Sequence, residues 1–95
     1  AVPEARFFYP VMRLGYLPQP SDPARLAALV GPARARLMLM AGARWDAATA
    51  HEFGLIDRIV APDDLDTAVD ELAADAVAAA PGHAARIKAL LNRDD

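Results

Sequence analysis

Between Tyr9 and Asp22 the chain gathers several side chains that could do chemistry: two phenols, a guanidinium, an amide and a carboxylate, on Tyr9, Tyr16, Arg13, Gln19 and Asp22. A carboxylate placed at a reacting atom serves as general acid or base and contributes roughly 10²–10⁴-fold to rate. A phenol can donate to a carbonyl oxygen, and a guanidinium can meet a phosphate. Each residue also has a plainer reading. Asp22 stands before Pro23, the arrangement of a helix N-cap followed by proline at the first helical position. Tyr9 and Tyr16 suit packing with a satisfied hydroxyl, and Arg13 suits solvent.

Elsewhere the chemical inventory is thin. There is no cysteine, so disulfides, thiol nucleophiles and cysteine metal sites are excluded. His51 and His83 have no partner at metal-ligand spacing, and His51-Glu52 lacks the second histidine of a zinc helix. Both are read as helix-surface residues. The acids between Asp63 and Asp75 lack calcium-loop spacing and read as a solvated face. No metal site is expected. The formal net charge is −3 and no basic stripe interleaves with aromatics, so a nucleic-acid partner is not expected. No apolar run is long enough to span a bilayer, so no membrane partner is expected either.

The elements that must position these residues are mostly helical. Residues 6–9 form a β-prone run that ends at Pro10, and residues 14–23 read as loop because Gly15, Pro18, Pro20 and Pro23 interrupt regular helix. Asp22-Pro23 opens a helix that stops at Gly31, and Pro32 starts another over about residues 33–41. That second helix carries Leu37, Met38, Leu39 and Met40 in succession and is expected to be buried on nearly all sides. Trp45 precedes Asp46, which caps a third helix ending at Gly54. Trp45 is read as a staple or core residue. Residues 55–60, LIDRIV, read as a second strand. Pro62, Asp63 and Asp64 open the longest helix, whose apolar stripe is Leu65, Val69, Leu72 and Ala76. Pro81-Gly82 breaks it, and a last helix over residues 83–91 is expected to bury Ile87, Leu90 and Leu91.

With 95 residues there is room for one small domain. The composition is 55% hydrophobic, above the usual range, which implies that some apolar faces meet another polypeptide. The chain opens on AVPEARFF, without an initiator Met or a signal-peptide profile. Truncation of a longer protein is the favoured reading of that start.

Along the chain the elements are joined at Phe7, Pro10, Leu14-Gly15, Pro18 and Arg25-Leu26, then Val30-Gly31, Gly42, Gly54-Leu55-Ile56, Arg58-Ile59-Val60 and Lys88. This order of elements and joints resembles the crotonase (enoyl-CoA hydratase/isomerase) family. No single one is specific; the ordered set covers almost the whole chain. The resemblance implies an α/β crotonase-like fold, a ββα spiral of which this portion is mostly α-helical with two short strands. Residues 1–95 would be the carboxy-terminal portion of that domain, the end of the spiral core plus covering and trimerisation helices. It also implies an acyl-CoA thioester substrate whose enolate is stabilised by two backbone N–H groups, both supplied by the family's first half. It implies no cofactor beyond coenzyme A as part of the substrate, a homo-oligomer (trimer or hexamer), and a cytoplasmic setting.

Two departures from the family pattern bear on chemistry. Where hydratases of the family carry a catalytic glutamate after the proline matched by Pro10, this chain has Val11. Valine holds no titratable proton. Where the family has a glycine-rich turn, this chain reads Gln19-Pro20-Ser21-Asp22-Pro23, which is stiffer and poorer in N–H donors. The residues expected to line the acyl-CoA pocket are therefore Val11, Tyr16, Gln19 and Asp22, with no catalytic residue assigned. Asp22 could be a relocated acid or base, and Gln19 could hold a catalytic water. Three functions stay open: a family enzyme inactive as this isolated chain, a non-catalytic crotonase homologue that binds acyl-CoA or acts as a structural subunit, and a helical association module unrelated to CoA.

Overall fold

The computed structural model of the chain describes residues 1–92. Two compact units divide it, Ala1–Pro62 and Asp63–Asp95. In the first unit β1 (Arg6–Phe7) leads to α1 (Val11–Leu14), α2 (Asp22–Val30), α3 (Pro32–Met40), β2 (Trp45–Asp46) and α4 (Ala47–Glu52). The strands pair antiparallel, Arg6 opposite Asp46 and Phe7 opposite Trp45.

The helices start and stop where backbone chemistry directs. α2 and α3 each carry proline in the first turn, where no intrahelical N–H is needed. Gly31 separates them at φ 90°, a conformation that side chains with a Cβ disfavour. α4 begins at Asp46, whose carboxylate accepts the Thr49 N–H at 2.8 Å, as a capping aspartate should. α1 is a single turn that the proline- and glycine-rich sequence did not announce; Gly15 closes it in the left-handed region at φ 75°.

Leu26, Val30, Ala35, Met38, Trp45 and Ala50 form the core of the first unit. Leu26 and Val30 lie one turn apart on α2, so the helix presents one apolar edge. Trp45 is buried and packs edge-on to Phe53, with ring centroids 5.2 Å apart. It is a core residue, as its place before the cap suggested. The Arg34 guanidinium lies over the Phe53 ring, 3.9 Å from its centroid, a favourable cation–π placement.

Two expectations fail here. α3 is not buried all round: Met38 is 1% exposed, but Leu37 is 53% and Met40 62% exposed. Four consecutive helical residues span a full turn, so they cannot all face one core. Residues 55–60 do not form a strand; the second strand is Trp45–Asp46. The N–H groups of Leu55 and Ile56 both turn back to the Ala50 carbonyl, at 2.9 and 3.4 Å. They close α4 and are lost to any ladder. Farther along, the Val60 N–H reaches the Ala1 carbonyl at 2.9 Å.

The second unit holds α5 (Leu65–Ala78), preceded by a 3₁₀ turn that Pro62–Asp64 provides, and α6 (His83–Leu91). Gly82, at φ 82°, makes the turn between the helices. The expected burial of Ile87, Leu90 and Leu91 is not found: all three are exposed, as are Val69 and Leu72 on α5. Among the described residues of these two helices only Ala68 is buried. Two short helices joined by a tight turn have too little mutual surface to cover two apolar stripes.

Candidate functional site

β1 and α2 are the elements that set the site. β1 ends two residues before Tyr9, and α2 begins at Asp22. Across the intervening loop the Tyr9 hydroxyl donates to Asp22 Oδ2 at 3.2 Å, in a part-buried position. Both residues line a groove of about 490 Å³ whose walls include Arg25, Leu26, Leu29 and Met38. Burial first, then the Asp22 charge and the hydrogen bond to it, push the Tyr9 phenol above its ordinary value of 10.0. Tyr9 is thus a neutral donor near neutral pH.

The bond to Tyr9 replaces the expected cap. Asp22 is the first residue of α2, Ser21 takes the cap position, and no side chain caps this helix. The Ser21 carbonyl accepts the Arg25 N–H at 3.3 Å, which places the helix start one residue earlier than Asp22-Pro23 suggested. From inside the first turn the Asp22 carboxylate is free to reach the phenol. The satisfied hydroxyl expected of Tyr9 is present.

Val11, Tyr16 and Gln19 line neither this groove nor the smaller one of about 240 Å³ beside it, which touches Tyr9, Pro10, Met12 and Arg13. Val11 opens α1 and is 6% exposed. Its carbonyl accepts the N–H groups of Gly15 and Tyr16, at 2.9 and 3.2 Å, so Val11 and Tyr16 meet through backbone while the Tyr16 side chain stands exposed. Gln19, also exposed, accepts the Asp22 N–H on its carbonyl at 2.9 Å. The four sequence-selected residues therefore fall in two separate hydrogen-bonded turns, Val11 with Tyr16 and Gln19 with Asp22, and only Asp22 lines the larger groove. Sequence reasoning did not select Arg25 or Leu29 as groove residues; each is an ordinary helix residue, and only the fold turns it toward the groove.

Among the described residues no group of three or more His, Asp and Glu side chains is placed to hold a metal. His51 and His83 are exposed on α4 and α6. The arrangement can donate a phenolic hydrogen bond, accept on a carboxylate, and enclose an apolar group between α2 and β1.

Residues 1–95 match the enoyl-CoA hydratase/isomerase family along their full length. The chain is 38% identical over 65 residues to a probable enoyl-CoA hydratase of Mycobacterium bovis, covering 68% of this chain and 25% of that protein. Among solved structures it is similar to an enoyl-CoA hydratase/carnithine racemase homologue from Magnetospirillum magneticum AMB-1, with TM-score 0.86 and 32% identity over 99% of this chain and 37% of that one. It is also similar to a Thermobifida fusca YX enoyl-CoA hydratase homologue in complex with CoA, with TM-score 0.77 and 33% identity over 95% of this chain and 37% of that one. The fold is that of the crotonase-type hydratases. The chain belongs to the enoyl-CoA hydratase/isomerase family. It spans about a quarter of the length of the curated relatives it first matches.

Proposed function

We propose that this chain is the carboxy-terminal portion of a family protein that binds acyl-CoA thioesters and stabilises their enolates. The observation that carries this reading is the family match along residues 1–95, together with the likeness to a homologue in complex with CoA. Enolate stabilisation needs preorganised N–H donors at the thioester oxygen, usually the largest single contribution to such catalysis. Those donors would come from a segment outside this chain, so the isolated chain should not turn over. Val11, Tyr16, Gln19 and Asp22 would contribute to the acyl pocket in that larger setting. Coenzyme A would enter only as part of the substrate, with no separate cofactor. The exposed apolar residues of α5 and α6 support a homo-oligomer, a trimer or hexamer. Among the described residues no helix is long and apolar enough to cross a membrane. The cytoplasmic setting is proposed from the family resemblance alone.

A second reading is favoured by one residue. Pro10 is followed by Val11, so no carboxylate stands where the resemblance places one. A family member that binds acyl-CoA without hydrating it, or serves as a structural subunit, would tolerate that exchange. The test is an assay of the 95-residue chain with crotonyl-CoA, following loss of the conjugated thioester. Background rates are expected, and turnover well above background overturns the assignment of the donors to another segment. Calorimetry on a protein that also carries the family's first half separates the two readings. Binding with turnover of an enoyl-CoA supports the enzyme, and binding without turnover supports the non-catalytic homologue.

A further inference from the structure

We infer that Tyr9 and Asp22 form a latch across the base of the loop at residues 10–21, and that the latch holds the loop in its observed conformation. The backbone bonds inside this loop are local: Leu14 to Pro10 at 3.0 Å, Gly15 and Tyr16 to Val11 at 2.9 and 3.2 Å, and Asp22 to Gln19 at 2.9 Å. They shape two small turns but do not join the loop's ends. The Tyr9–Asp22 bond does, linking residues 13 apart in sequence.

Its setting favours it. The bond is part-buried, where competition from water is reduced and a hydrogen bond is electrostatically stronger. The acceptor is a carboxylate, but at 3.2 Å the bond is longer than a charge-assisted O–H···O bond, so it counts as one ordinary hydrogen bond. The first half of the loop is also held, since α1 packs on α3 and Val11 is buried; the second half is not, with Leu17 90% exposed and Tyr16 also exposed. Pro18, Pro20 and Pro23 restrict φ on the α2 side, so fixing the two ends leaves few conformations between them. The latch gives a structural use to the aspartate that stands in the stretch where the resemblance places a glycine-rich turn. Because the loop carries Val11, Tyr16 and Gln19, Tyr9 and Asp22 are positioning residues for the acyl pocket. That consequence rests on the proposed function; the latch itself does not.

Amide hydrogen exchange on the 95-residue chain and its Tyr9→Phe, Asp22→Ala and Asp22→Asn variants tests the latch. Tyr9→Phe keeps the ring and removes only the hydroxyl. Exchange at Gly15, Tyr16 and Asp22 (or the residue replacing it) is expected to rise roughly fivefold in Tyr9→Phe and Asp22→Ala, the loss of one net hydrogen bond. Exchange across Ala47–Glu52 should hold at the parent rate. Asp22→Asn keeps an acceptor oxygen and should retain protection. Unchanged loop exchange in both Tyr9→Phe and Asp22→Ala overturns the latch, as does an equal rise in the loop and in α4. The crotonyl-CoA assay leaves these rates untouched, so failure of the functional reading and failure of the latch are told apart.

Discussion

Val11 joins two facts that a sequence reading treats separately. It stands where the resemblance expects a titratable group after Pro10, and it fills a buried place at the start of α1. A carboxylate installed at this buried position would lose hydration. Val11→Glu is therefore expected to lower the stability of the chain by about 2–4 kcal/mol, the cost of burying an uncompensated polar group. Urea denaturation of parent and variant measures the loss. An unchanged midpoint would mean that side chain 11 reaches water, and the apolar role given to it would fall. Tyr9 and Asp22 show the opposite economy: two polar groups share a part-buried wall because each satisfies the other. Neither residue alone signals the pair, since capping and packing are the common uses of an aspartate before proline and a tyrosine after a strand.

At the scale of elements, the close approach of the α4 exit to α2 is the tightest constraint. Gly54 has φ 86°, and a Cβ added there would lie 3.0 Å from the Leu29 carbonyl oxygen. Gly42 has a similar φ of 69°, but a Cβ there would meet no atom within 4 Å. Gly42→Ala should carry only the backbone strain, roughly 1 kcal/mol, whereas Gly54→Ala adds a clash with main chain and should cost about 2–3 kcal/mol. Chemical denaturation of the two variants compares them, and equal losses would show that the α2 contact yields freely. The helix boundaries at Gly31, Pro32, Asp46 and Gly82 were legible in sequence because proline, glycine and a capping aspartate act through local backbone chemistry. The strand at Trp45–Asp46 was not, because two residues carry no period. Residues 55–60 had strand-like composition, yet their first N–H groups were claimed by α4. The Tyr9–Asp22 bond was equally hidden, since it depends on how α2 returns toward β1.

At the scale of the whole molecule, the apolar surface left over by each unit is the feature that composition foreshadowed. In the first unit Met12, Leu14, Leu17, Leu37 and Met40 are exposed; in the second, Val69, Leu72, Val77, Ile87, Leu90 and Leu91 are. Single exposed apolar residues are ordinary, but a helical stripe left open is a contact surface in waiting. On α5, Leu65, Val69, Leu72 and Ala76 recur at helical spacing, so they share one face. On α6, Ile87 and Leu91 join Ala76, Ala79 and Ala84 around an apolar groove of about 360 Å³. If these faces drive the proposed self-association, the chain should sediment as species heavier than its 10.1 kDa monomer, increasingly so as its concentration is raised. Replacing Leu72 and Ile87 together by glutamate should return it to the monomer, because exposed apolar side chains would be exchanged for charges that resist desolvation. The same substitutions should leave far-ultraviolet circular dichroism unchanged, since both side chains are already exposed and glutamate is a good helix former. Sedimentation velocity decides the matter. A parent chain that stays monomeric throughout the concentration series would remove these two helices as the oligomer contact, and a double variant that still assembles would move the contact to the apolar residues of the first unit.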